Sequence, residues 1–221
     1  MEKPINLRYL HFGPVIGGVS TDPNLCDELL KRGRETTKSH VPNLAGHLDK
    51  ENIYPEKDKI WFIDNFKQYF IPYIKKLQNA DDPNFFYAVP PVHRVWLATL
   101  WINFMKAGEY NPPHNHSGAY SFVLYLQVPK ELAIEEREFK GNGTGPGCIS
   151  FMYGEDQTGI RTGHGVRPTL YDLWIFPASL KHTVPPFKSD VERISVSGNW
   201  HIIDNVKNKF KELDIGKVLI K

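Results

Sequence analysis

The stretch NPPHNHSGAY, residues 111–120, sets two histidines one residue apart behind a Pro-Pro pair. Residues two apart on an extended segment point to the same side, so the imidazoles of His114 and His116 can converge on one ion. A divalent metal sits about 2.0–2.2 Å from each such nitrogen. Two histidines do not close a site. FPASLKHTV, residues 176–184, supplies a third, His182, just past a strand-like run and a turn. In a jelly roll the two segments can be neighbours although they are distant in sequence. RISVSGNW, residues 193–200, reads as a strand with two unlike faces. Arg193, Ser195, Ser197 and Asn199 lie on one side, with Ile194, Val196 and Trp200 on the other. An arginine on the interior of a sandwich is costly without a partner. A carboxylate suits it, because the guanidinium fork grips both oxygens. The competing reading is an edge strand with a wet outer face; the histidines favour an interior site.

The rest of the chain is consistent with this core. After about residue 90, short apolar runs alternate with Gly, Pro and Asn turns, a spacing that suits an antiparallel sandwich or barrel. Upstream, INLRYLHF reads as a strand followed by Gly-Pro and Gly-Gly turns. Asp22-Pro23 offers a helix start, and that helix is expected to stop near Gly33. Residues 34–56 look irregular. In DKIWFIDNFKQYFIPYIKKLQNA (58–80), Phe62, Phe66, Tyr69, Phe70, Tyr73, Ile74 and Leu77 make one apolar stripe, with Pro72 expected to kink or shorten the helix. The organisation expected is one domain over 1–221. A helical portion (1–90) packs on a jelly-roll core (91–205), followed by a C-terminal extension (206–221).

Composition narrows the function. The 221 residues are 41% hydrophobic and 24% charged with a formal net charge of +2, too little basicity to argue for nucleic acid. Two cysteines make no disulfide framework, and no apolar run reaches the length of a membrane span, so a cytoplasmic setting is expected. The Gly-rich GNGTGPG (141–147) lacks the lysine of a phosphate-binding loop. The remaining histidines, His11, His40, His47, His93, His164 and His201, read as structural or exposed.

The motifs resemble the iron(II)- and 2-oxoglutarate-dependent oxygenase superfamily, and within it a branch found in bacteria and phages. WINFMKAGEYNPPHNHSGAYSFVLYLQVP (101–129), FPASLKHTV and RISVSGN carry the likeness, over roughly residues 100–200. The resemblance implies a double-stranded β-helix and a dioxygenase that hydroxylates its substrate. It uses Fe(II), 2-oxoglutarate and O2 and releases succinate and CO2. It assigns His114, His116 and His182 to the metal, and Arg193 and Ser195 to the far carboxylate of 2-oxoglutarate. Asn103 and Tyr125 are placed against the same cosubstrate, and Asn199 on the substrate side. Position 116 departs from the pattern, since most members carry Asp or Glu there. Three imidazoles leave the metal at +2 where a carboxylate would lower it to +1, and they suit Ni, Cu and Zn as well as Fe. Asp172 could supply the missing acid, but the motif places it at a different strand position.

Two other readings stand beside this one. Gly108 and the following HxH also fit the first motif of cupins, which would give a metal dioxygenase or isomerase without 2-oxoglutarate. Alternatively the jelly roll is a non-catalytic binding or structural module, for instance in a phage particle, with a vestigial site. The Arg193–Ser195 pair argues against the cupin reading, and the orientation of His116 decides between an enzyme and a non-catalytic module. The partner expected is a small-molecule or peptide substrate, with no nucleic acid and no membrane; oligomeric state is not legible.

Overall fold

A computed structural model describes residues 5–11, 13–43, 45–77, 94–155, 158, 162–203 and 212–214. His93, and most of the expected C-terminal extension, lie outside the described residues.

Three layers build the protein. The outer layer is helical: α1 (Pro23–Glu35) and α2 (Glu56–Leu77). The middle layer is a large antiparallel sheet. It contains β1 (Arg8–His11), β2 (Val15–Ser20), β4 (Arg94–Met105), β6 (Tyr120–Gln127), β9 (Asp172–Pro177) and β11 (Arg193–Ile202), in the order β1-β2-β9-β6-β11-β4. β3 (Glu51–Ile53) and β12 (Glu212–Asp214) both pair with β4. The third layer is a smaller sheet of β5 (Asn111–His114), β7 (Ile149–Met152), β8 (Gly163–Val166) and β10 (Lys181–Val184), ordered β5-β10-β7-β8. A short helix, α3 (Lys130–Glu138), follows β6 and had no counterpart in the sequence reading.

Period-two alternation assigns each strand of the large sheet one face to the helices and one to the small sheet. Phe122, Leu124, Ile194, Val196 and Trp200 face the helices. The α2 stripe meets them ring on ring: Phe62 stacks on Phe122 at 5.2 Å, and Phe70 lies 5.1 Å from Trp200. Each buried aromatic side chain of this kind stabilises by about 2–3 kcal/mol. The opposite face, with Val123, Tyr125, Trp174 and Phe176, packs against Phe151, Ile149 and Val184 of the small sheet. Anchoring Trp200 and Val196 among the helix aromatics turns Arg193, Ser195 and Asn199 inward.

Several sequence expectations are corrected. Gly17 and Gly18 are not a turn; they lie inside β2. The rings of Tyr73 and Trp174 occupy the space on either side where a Cβ would project. α1 does stop near Gly33, at Glu35, but Gly33 lies inside it. Its bare Cα instead admits Tyr54 and Ile102. Pro72 sits within α2 without ending it, because Tyr73, Ile74 and Leu77 remain buried beyond it. The segment 34–56 contributes β3 and a 3-10 turn at Val41–Asn43, and with β1 and β2 it makes the N-terminal portion less purely helical than expected. Pro112 and Pro113 lie in β5, an edge strand, where a missing N–H is tolerated. In α1, Asp22 caps the helix as expected, its side chain accepting from the N–H of Asn24.

Candidate metal and cosubstrate centre

β5 and β10 run side by side in the small sheet, with His182 directly opposite His114. Their ring centroids are 4.3 Å apart. His116 follows the end of β5, where its backbone N–H donates to the carbonyl of Ala178. Its ring lies 5.0 Å from each of the other two, and one nitrogen from each of the three rings lies within 4.8 Å of the others. His116 therefore does not turn away from its neighbours.

Backbone carbonyls orient two of the rings. Nδ1 of His114 lies 2.7 Å from the carbonyl of Pro112, and Nδ1 of His182 lies 2.9 Å from that of Leu180. A carbonyl only accepts, so Nδ1 carries the proton in both and each Nε2 keeps its lone pair for the cluster. Burial lowers the pKa of all three rings. His116 falls to about 4 and His182 to about 3, with mutual repulsion adding to both shifts. Neutral imidazoles with free lone pairs are the form a metal requires. Asp172, the alternative acid, is engaged elsewhere: Arg8 reaches it at 2.7 Å and the Ser20 hydroxyl at 2.6 Å.

The cluster opens into a cavity of about 380 Å³ between the two sheets. All eight residues singled out in the sequence line it: His114, His116, His182, Arg193, Ser195, Asn103, Tyr125 and Asn199. Asn103, Ser195 and Tyr125 form one cross-strand row on β4, β11 and β6. Asn199 accepts a hydrogen bond from the Ser121 hydroxyl at 2.7 Å. Arg193 is 3% exposed and donates from one terminal nitrogen to the carbonyl of Gly147 at 2.6 Å. Gly147 has φ +68, a conformation that favours glycine, so the Gly-rich loop serves to aim a carbonyl at Arg193. No carboxylate reaches the guanidinium among the described residues, its Nε has no partner, and the hydroxyl of Tyr125 beside it has none either. A buried cation and a buried hydroxyl left unpaired point to an anionic ligand. The far carboxylate of 2-oxoglutarate fits that need, and a neutral three-imidazole cluster fits a divalent metal.

Sequence reasoning missed several cavity-lining residues. His201 continues the alternation of Arg193 through Asn199, and Trp101 lies two residues before Asn103 on β4, so both were legible from period two. One extra residue at Ala98, opposite the Asn199–Trp200 step, shifts the register of β4 and turns both Ala98 and Thr99 to the cavity. His40 and Glu51 come from segment 34–56, whose sequence looks irregular, and β3 is too short to show a period.

Glu51 is 2% exposed, its Oε2 has no partner among the described residues, and burial raises its carboxyl to about 8. A carboxyl whose folded pKa lies above its unfolded value imposes no penalty below about pH 4.5. Its penalty grows as the pH rises toward 8, reaching about 3 kcal/mol at pH 7. Glu51→Gln is therefore expected to melt above wild type at pH 8 and level with it at pH 5. A gap that does not change between those pH values, measured by thermal denaturation, contradicts the assignment.

Both cysteines are buried and unpaired, and burial raises their thiols, Cys26 to about 12 and Cys148 to about 11, so neither is a nucleophile.

A family model described as "Putative 2OG-Fe(II) oxygenase" matches residues 99–199. No curated protein sequence matches the chain. Among solved structures, a prolyl-4-hydroxylase from Pseudomonas putida aligns with a TM-score of 0.51 at 14% identity, over 86% of this chain and 93% of that one. A 2OG-Fe(II) oxygenase-family oxidoreductase from Burkholderia pseudomallei aligns at 0.50 and 12%, over 84% of each chain. A prolyl hydroxylase from Trichoplax adhaerens, in complex with a hypoxia inducible factor peptide fragment, aligns at 0.51 and 10%, over 81% of this chain and 78% of that one. At such identities the likeness speaks for the fold, a double-stranded β-helix. The family match covers the segment that carries the histidine cluster and Arg193, and over that segment the chain is similar to 2OG-Fe(II) oxygenases.

Proposed function

We propose that the protein is an iron(II)- and 2-oxoglutarate-dependent oxygenase that hydroxylates a C–H bond of a small-molecule or peptide substrate, with His114, His116 and His182 holding the iron. The observation that carries this reading is the pairing, in one cavity, of a neutral three-histidine cluster with a buried arginine that lacks a carboxylate. Arg193, Ser195 and the Tyr125 hydroxyl grip the far carboxylate of 2-oxoglutarate, and the Asn103 amide steadies the same molecule from β4. Bound together, iron and 2-oxoglutarate supply the activation of oxygen, with the cosubstrate ending as succinate and CO2. The protein's own contribution is placement. Val123, Ile149, Phe176 and Val184 wall the cavity with apolar surface and keep water from the centre. Asn199, fixed by Ser121, faces the substrate side. The unpaired cysteines suit a reducing, cytoplasmic setting.

A cupin-type reaction without 2-oxoglutarate leaves Arg193 and Tyr125 unexplained, and the oxygenase reading uses both. The test is succinate release from 2-oxoglutarate by purified protein with Fe(II) and O2. Slow turnover without added substrate is expected, falling at least 100-fold in His114→Ala, with circular dichroism checking the fold. Succinate formation equal in the two folded proteins would sink the reading.

A further inference from the structure

We propose that Glu51, backed by Trp101, recognises a basic nitrogen on the substrate, so that the enzyme acts on an amine- or guanidine-bearing molecule. This inference rests on the oxygenase reading above and deepens it.

β3 lies against β4 with Glu51 opposite Asn103, which places the Glu51 carboxyl at the end of the Asn103–Ser195–Tyr125 row. Glu51 lines the same cavity, and it is the one acid among the described residues that do so. Among the described residues its Oε2 is buried and unpartnered, and the nearest cation-capable group, Nε2 of His40, is 3.9 Å from Oε1, beyond hydrogen-bond reach. Burial drives that His40 ring towards its neutral form. Among the described residues no group therefore neutralises the carboxylate, and burial alone sets its raised pKa. An orphaned acceptor in a cavity calls for a donor from the ligand.

The donor is most simply cationic. Three neutral imidazoles leave an iron centre one positive charge higher than a site with two histidines and one carboxylate. Arg193 adds another charge, while 2-oxoglutarate removes two. A further cation then needs a counter-charge in the cavity, and Glu51 is the group able to supply it. Trp101 strengthens the case. Its indole lies 5.6 Å from His40 and 5.5 Å from His116, between the Glu51 side and the cluster. An aromatic face beside a lone carboxylate is a setting that holds ammonium and guanidinium groups. A substrate nitrogen seated there leaves the carbons beyond it directed towards His116.

The probes are capped lysine and agmatine, each beside an uncharged isostere such as capped norleucine. They are titrated calorimetrically into the full chain with Fe(II) and saturating 2-oxoglutarate in the absence of O2. Wild type is expected to bind a basic probe at least ten-fold more tightly than its isostere. Glu51→Gln is expected to abolish that preference, Glu51→Asp to retain part of it, and Trp101→Leu to weaken it. The metal-to-2-oxoglutarate absorption band, recorded in the same samples, separates the two readings. Its absence from wild type removes the oxygenase assignment. Its presence without a charge preference, or with a preference that survives in folded Glu51→Gln, overturns the role given to Glu51.

Discussion

Arg193→Met is expected to raise the KM for 2-oxoglutarate by about 100-fold, which corresponds to roughly 2.7 kcal/mol of lost binding. The guanidinium is buried at the end of the cavity, tied on one side to the carbonyl of Gly147 and left with its Nε unpartnered on the other. A charge held this way in the empty protein is a burden. Its removal in favour of an apolar side chain of similar length is expected to leave thermal stability equal or raised. The two effects together distinguish a ligand anchor from a structural residue, since a structural arginine would lose stability when truncated. Arg193→Lys is expected to recover little, because one ammonium cannot serve the Gly147 carbonyl and two carboxylate oxygens in the geometry of a planar fork. Steady-state succinate formation against 2-oxoglutarate concentration provides the check. A KM within threefold of wild type in Arg193→Met removes this residue from the site.

Much of that site was legible because strands report their faces. RISVSGNW separates a polar from an apolar side by alternation alone, and the structure seats the apolar side on Phe70 and Phe122. The α2 stripe was equally legible, because seven residues at helical spacing leave no other period. What escaped depended on contacts made far away in sequence. Gly17, Gly18 and Gly33 look like turn signals locally, and only the rings of Tyr73, Trp174 and Tyr54 explain them. Glu51 resembles any surface acid in a polar stretch. Three residues of β3 pair it to β4, and that pairing buries it. The extra residue at Ala98 is invisible for the same reason, since a bulge is defined only against its partner strand.

His182→Ala is expected to weaken metal binding by on the order of 100-fold to 1000-fold, the share one ligand holds when a few ligands divide some 10–16 kcal/mol. His182 is the most buried of the three, 4% exposed, and sits on a central strand of the small sheet with its tautomer set by Leu180. Among the described residues nothing nearby can take its place: Asp172 is held by Arg8 and Ser20, and Glu51 is not among the groups within reach of the other two rings. Loss of the imidazole leaves a small void between Phe151 and Phe176, a cost of about 1–2 kcal/mol that the two-sheet core tolerates. Titration with Co(II) under anaerobic conditions, followed by its visible absorption, measures the affinity directly. His116→Asp is the informative companion. It retains a third ligand while lowering the centre from +2 to +1, so metal binding is expected to persist and the preference for Ni and Cu over Fe to narrow. Unchanged affinity in folded His182→Ala would mean that the metal is held elsewhere. Lost affinity in both variants would mean that the third position demands an imidazole, and that the departure at residue 116 defines the chemistry of this centre.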